Sequence, residues 1–272
     1  LKTDDEAPPA LSAYSTGLDA AGDNYDARIA SAHARSEQNL AAHLRTFATQ
    51  EVIPITSCAR WSIQNGAVSV AIAHMFSNDN PQQVAIAQRF WYNLSHCLAP
   101  GSSMGPVGQP LEMSYVSRAF ALFNSRSPVV HQRAQAVAVF DAKTEAAMQR
   151  MFFRYLAQFG PLERRFPSIH HQFGSENRDT VEQTSCYLAA QYLSLDPAYS
   201  NRTLYANSTR TVTEAATLLD DFMYSWLRDR ATHGFFIELA SNSYWYRTWP
   251  AVYNLRDLPL SARVLQRAKM MI

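Results

Sequence analysis

Apolar residues recur at a spacing of about 3.6 along nearly every long segment of the chain, and strict apolar–polar alternation is almost absent. The pattern predicts helices throughout and places the chain in the all-α class. Periodicity and end signals mark helices over roughly Asp26–Gln50, Asn65–Ser77, Pro81–His96, Leu111–Phe123, Ser127–Phe140, Ala142–Phe159, Ser175–Leu195, Thr211–Thr232, Asn242–Asn254 and from Pro259 onward. Asp79-Asn80-Pro81 stops one helix and opens the next with proline in its first turn. Ser175 suits an N-cap, and Gly234 suits the left-handed position after Thr211–Thr232.

Consecutive helices joined by short turns, without a fixed repeat, predict antiparallel hairpins arranged as an (α/α) toroid, an incomplete helical barrel or a solenoid. The expected organisation is an extended segment over 1–24 followed by one helical domain over 25–272. The longer connections are Ala99–Pro110, Gly160–Gly174 and Asp196–Arg210, and long loops in a compact domain are usually functional or glycosylated. Leu260, Val264, Leu265, Ala268 and Met271 form an apolar stripe that breaks off at Ile272. The expectation is that the domain continues beyond residue 272, where a further part of the chain or self-assembly would cover that stripe.

Composition sharpens this picture. Apolar residues make up 47% and charged residues 17% of the chain, which is globular and not disordered. Twenty-four basic residues against 23 acidic ones create no global field, so neither nucleic acid nor an anionic membrane is an expected partner. No apolar run approaches the roughly 20 residues that span a bilayer. The acidic, small-residue-rich start from Leu1 to Gly22 is unlike a signal peptide and fits a processed N-terminus.

Three sequons occur, at Asn93, Asn201 and Asn207, the last two within one polar segment. They point to a secreted, glycosylated protein. Cys58 and Cys97 sit at element ends where a disulfide can form in an oxidising compartment, while Cys186 lies within a helix as a small buried residue. The cysteines lack C-x-x-C spacing, so no thiolate zinc site is expected, and no cofactor is implied.

Two clusters carry candidate chemistry. One runs from Glu238 through Ser241, Tyr244, Trp245, Tyr246, Arg247 and Trp249. The other runs from His170 and His171 through Ser175, Glu176, Asn177 and Arg178. Both stand at predicted helix N-termini, where backbone donors attract anions. In an antiparallel helical array alternate helices start at the same rim, which would let both clusters face one cleft.

Ser175-Glu176-Asn177-Arg178 resembles the Asn-containing helix start of the helical-toroid polysaccharide lyases, the heparinase II/III-like and alginate-lyase-like enzymes. Glu238-x-x-Ser241-x-x-Tyr244, with Asn254-Leu255 after it, resembles the segment bearing their catalytic tyrosine. The resemblance covers about the last hundred residues, and Arg178 stands where many relatives carry histidine. It implies β-elimination on an anionic, uronic-acid-containing polysaccharide. The C5 proton leaves only when the neighbouring carboxylate is neutralised, a task for Asn177 and Arg178. Tyr244, with Tyr246 as second choice, would act as acid and base once nearby cations such as Arg247 lower its pKa. His170, His171 or His233 would supply a further base. Trp245 or Trp249 offers a sugar-stacking face, and Glu176 and Glu238 complete the substrate contacts. In many such lyases another histidine comes from a following β-sandwich domain.

Plainer readings accompany each of these. Tyr244, Trp245, Tyr246 and Trp249 fit the faces of a buried helix, with Arg247 reaching water. Asn177 fits a helix first turn, and His170 and His171 fit exposed loop residues with no metal-binding partner at i+4. Two rival functions remain: a non-catalytic helical module that binds glycans or builds an extracellular assembly, and a glycoside hydrolase using Glu176 and Glu238, which needs two carboxylates about 5–10 Å apart.

Overall fold

The computed structural model describes residues 42, 45–55, 65–98, 110–127, 138–159, 176–204, 210–233 and 245–271. The chain divides into two compact units, Leu1–Thr46 and Phe47–Ile272. In the first, Ala42, Arg45 and Thr46 are helical, and Thr46 Oγ1 donates to the Ala42 carbonyl at 3.0 Å. The boundary expected at residues 24/25 lies outside the described residues.

The second unit is helical, with no strand among the described residues beyond an isolated bridge between Thr203 and Thr211. In chain order the helices are α1 (Asn65–Ser77), α2 (Pro81–Leu98), α3 (Pro110–Phe123), α4 (Ala142–Phe159), α5 (Glu176–Ser194), α6 (Val212–His233), α7 (Trp245–Asp257) and α8 (Ala262–Met271). Their ends follow from local chemistry. Asn78 closes α1 in the left-handed region at φ 51°, and its N–H reaches the His74 carbonyl at 3.0 Å. Asn80 caps α2, its Oδ1 accepting from Gln83 N at 3.2 Å, with Pro81 in the first turn as expected. Asp141 caps α4 through Thr144 N at 2.7 Å. Thr211 and Glu214 form a reciprocal capping box on α6: Glu214 Oε2 accepts from Thr211 N at 2.7 Å, and Thr211 Oγ1 accepts from Glu214 N at 3.2 Å.

Three expected helices differ from what is seen. Of the helix expected over Ser127–Phe140, residues 128–137 lie outside the described residues, while Ser127 and Ala138–Phe140 are not helical. Ala138 N donates to the Met75 carbonyl at 2.7 Å and Phe140 N to the Phe123 carbonyl at 2.8 Å. These backbone donors thus serve carbonyls at the C-terminal ends of α1 and α3, which no longer have partners inside their own helices. α7 runs on to Asp257, with Pro250 inside it. α8 begins only at Ala262: its first backbone bond runs from Leu265 N to the Ser261 carbonyl at 3.0 Å, while Leu260 N, before the helix, donates to Gln191 Oε1 at 2.9 Å.

Helix direction alternates. The extended link at Ala138–Phe140 joins the C-terminal ends of α1 and α3. Phe120, near the end of α3, meets Tyr192, near the end of α5, with ring centroids 6.2 Å apart. Tyr192 Oη in turn donates to the Leu258 carbonyl just beyond α7, at 3.0 Å. The other helices start where these end: Glu145 in the first turn of α4 bonds Ser125, and Thr213 in the first turn of α6 bonds the Ser200 carbonyl. Arg263 in the first turn of α8 bonds Asp220 of α6, and Arg267 one turn on bonds the Tyr224 carbonyl, so α6 and α8 run together.

α5 is the core of this arrangement. It packs against α3, α4, α6 and α7, and every residue from Thr180 to Leu193 is buried. A helix enclosed on all sides needs no exposed polar face. The even-numbered helices keep one: along α8, Val264 and Ala268 are the buried positions among the described residues, and α6 exposes Thr213, Glu214, Thr217, Leu218, Asp221 and Arg228.

Candidate functional site

The first turn of α5 carries Glu176, Asn177 and Arg178, and that of α7 carries Trp245, Tyr246 and Arg247. These helices pack together with their C-terminal ends joined by two hydrogen bonds, from Tyr192 Oη to the Leu258 carbonyl and from Leu260 N to Gln191 Oε1. At 1.5 Å per residue, Asn177 lies about 22 Å back along α5 from Tyr192, and Trp245 about 20 Å back along α7 from Leu258. The two first turns therefore stand at nearly the same height on one rim. The intervening α6 returns the chain, so these first turns, about 70 residues apart in sequence, start at the same end. Two like-directed helix N-termini also bring their unpaired N–H groups and positive dipole ends to that rim, a setting that favours a carboxylate.

Asn177 is 2% exposed and so lies beneath the rim surface. For Glu176, Arg178, Trp245, Tyr246 and Arg247 the backbone is placed and the side chains lie outside the described residues, as does the side chain of His233. Tyr244, Glu238, His170, His171, Asn207, Gly234 and Cys58 lie outside them altogether. Trp249 is half-buried one turn into α7, with its ring centroid 5.8 Å from that of the exposed Tyr253, over which the Arg256 guanidinium stacks at 4.7 Å.

Other residues near this axis are structural. Asn254, in the segment with the lyase-like pattern, is fully buried; its Nδ2 donates to the Ser114 carbonyl at 2.6 Å and its Oδ1 accepts from Arg118 Nε at 2.8 Å. Arg118 also pairs with Asp257 at 2.8 Å, fastening α7 to α3. Burial alone would raise the Asp257 pKa, but the hydrogen bond from Arg256 and the charge of Arg118 hold it below its ordinary 3.8.

Tyr187, Gln191, Asp220 and Arg263 form a network that sequence periodicity did not single out. Tyr187 Oη donates to Asp220 Oδ1 at 3.0 Å and accepts from Gln191 Nε2 at 2.8 Å, while Arg263 Nε donates to Asp220 Oδ2 at 2.6 Å. Burial first and the Asp220 carboxylate second push the Tyr187 phenol far above its ordinary 10.0, and burial does the same to Tyr192. Neither phenol is a base near neutral pH. The acid/base candidates remain those of the rim.

The sequons and cysteines separate on their surroundings. Asn93 lies half-buried within α2, and its Nδ2 donates to the Ile55 carbonyl at 2.8 Å. Asn201 is exposed on the turn after α5. Cys97 is disulfide-bonded and Cys186 is a buried thiol in α5. Among the described residues no group of three or more His, Cys, Asp or Glu is placed to hold a metal ion, and no helix is long and apolar enough to cross a membrane. Comparison of the chain with protein-family models, curated proteins and solved structures returned no match.

Proposed function

We propose that this chain is the helical body of a secreted polysaccharide lyase that cleaves a uronic-acid-containing polysaccharide by β-elimination, with its site at the rim where α5 and α7 begin. The observation that carries the reading is the common height of those two first turns. In this reading Asn177 and Arg178, in the first turn of one helix, and Trp245, Tyr246 and Arg247, in that of the other, would flank a single place where a carboxylate is favoured. We read the alternating helices as an incomplete (α/α) toroid, α1, α3, α5 and α7 forming its inner layer. The buried α5 and the one-sided α8 support that layering.

In this reading Asn177 and Arg178 hydrogen-bond the substrate carboxylate and stabilise its aci form as the C5 proton leaves. Tyr244, immediately before α7, or His171 takes that proton. The C4–O bond breaks, the electron pair of the C5–H bond forms the C4–C5 double bond, and the departing oxygen takes a proton from tyrosine. Arg247 lowers the tyrosine pKa. Tyr246, Trp245, Glu176, Glu238 and His170 hold neighbouring sugars. One observation favours a second reading, a glycan-binding module without chemistry: Asn177 is 2% exposed.

The test is the ultraviolet absorbance of unsaturated uronate during incubation with alginate, glucuronan, heparan and chondroitin. The lyase reading predicts a rise on at least one polymer, lost in Tyr244→Phe. No rise on any polymer, with binding retained, would move the conclusion to the non-catalytic module.

A further inference from the structure

α4 turns a row of cations toward solvent. At about 100° per residue, Lys143, Arg150 and Arg154 fall within about 40° of one another around the helix and span about 16 Å of its length. All three are exposed. Arg202, exposed in the segment after α5, joins them: its guanidinium lies over the Phe153 ring of α4 at 4.5 Å and over the Tyr199 ring at 5.3 Å. Burial raises the Tyr199 pKa, and the charges of Arg202 and Arg150 oppose that rise, so both cations stand near the same phenol. At the other end of the row, Lys143 Nζ sits over the Tyr92 ring of α2 at 4.2 Å.

Elsewhere in this unit guanidinium groups meet carboxylates: Arg118 and Arg256 pair with Asp257, and Arg263 pairs with Asp220 and Asp221. Along α4 the cations are unmatched. Among the described residues, Lys143, Arg150, Arg154 and Arg202 have no carboxylate partner. The acids closest to them in the chain are already engaged. Asp141 caps α4 through Thr144 N, Glu145 is buried against Ser125, and Asp196 is held by Arg126, Gln149 and Ala198 N. Arg150 and Arg154 also form a like-charge i, i+4 pair, which costs helix stability when nothing anionic lies between them. With a net charge of +1 for the whole chain, the field here is local to this face.

A row of separated cations fits an extended chain of repeated anions, whereas a compact anion would reach only one or two of them. The aromatic rings beneath Arg202 hold its guanidinium flat and leave its N–H edge available to a carboxylate. α4 starts where α3 and α5 finish, so the row climbs toward the end at which α5 and α7 begin. We propose that the outer face of α4, together with Arg202, is a docking strip for the anionic polysaccharide, separate from the rim. The proposal takes its ligand class from the polyuronide reading and requires no chemistry at the rim.

Isothermal titration of the full chain with glucuronan and alginate at low and high salt tests it, with a DNA duplex as the competing polyanion. The triple variant Lys143→Gln, Arg150→Gln, Arg154→Gln is expected to bind polymer about 30-fold more weakly at low salt, about threefold per exposed cation, and to show a shallower dependence of affinity on salt. The absorbance rate at saturating polymer should stay as in the wild type. Arg150→Lys with Arg154→Lys keeps the charge and should bind as the wild type does; a loss equal to that of the triple variant would overturn the strip. Unchanged affinity in the triple variant would overturn it too, and with the absorbance rise intact would leave the lyase reading standing. Equally tight binding of the DNA duplex by the wild type, lost in the triple variant, would overturn the assignment to polysaccharide. If the wild type binds neither polymer and gives no absorbance rise, the polyuronide reading falls and the strip with it.

Discussion

Asn254 shows how one residue serves sequence pattern and packing at once. It stands in the segment resembling a lyase signature, yet its amide is consumed by the Ser114 carbonyl and Arg118. Asn254→Leu leaves that carbonyl and a guanidinium N–H without their partner, and urea unfolding is expected to show a loss of about 2–3 kcal/mol. The titrating residues give directions that can be checked against pH. Asp257 has its folded pKa below the ordinary 3.8, so its stabilisation is present above that value and is lost as pH falls through the folded one. The stability gap between wild type and Asp257→Asn should therefore stay constant from neutral pH to just above 3.8 and narrow as pH falls below that. Tyr187 and Tyr192 have folded values above the ordinary 10.0, so their stabilisation is full below pH 10 and disappears as pH rises past it. Alkaline unfolding followed by tyrosinate absorbance should show these phenols ionising only together with unfolding; free ionisation in the native state would contradict their burial.

At the scale of elements, end chemistry was the most legible feature of the sequence. Asn65–Ser77 and Ala142–Phe159 coincide with the expected spans, and Asn80-Pro81 opens α2 as its residues dictate. Asp141→Ala should cost about 1 kcal/mol in urea unfolding by removing the cap of α4, and an unchanged midpoint would show that the cap contributes nothing. Tertiary partners hid what was not legible. Apolar periodicity favours a helix through Phe140, but the amides of Ala138 and Phe140 bond the ends of α1 and α3 instead. Likewise the Leu260 amide, just before α8, donates to Gln191, a contact across 69 residues that no local spacing announces. α5 is the subtlest case, because it carries Thr180, Gln183, Thr184, Tyr187 and Gln191 and is nevertheless buried from Thr180 to Leu193 by the surrounding helices.

Over the second unit, alternation of helix direction starts α5 and α7, distant in sequence, at the same end. The candidate site was legible there as two separate helix starts, and what sequence could not supply was their common height, which follows from the hydrogen bonds of Tyr192 and Leu260 at the far ends. The disulfide at Cys97 fits an oxidising compartment, and Cys97→Ser should lower stability by about 2–4 kcal/mol, with reductant producing the same drop in Tm for the wild type only. The central claim, that the starts of α5 and α7 act as one site, is tested most directly by a double-mutant cycle of Asn177→Ala and Tyr244→Phe, reading kcat/KM on the preferred polyuronide. One shared site predicts strong non-additivity, the double variant being little worse than the poorer single one. Losses that simply add, or a wild-type chain with no activity to lose, would contradict it.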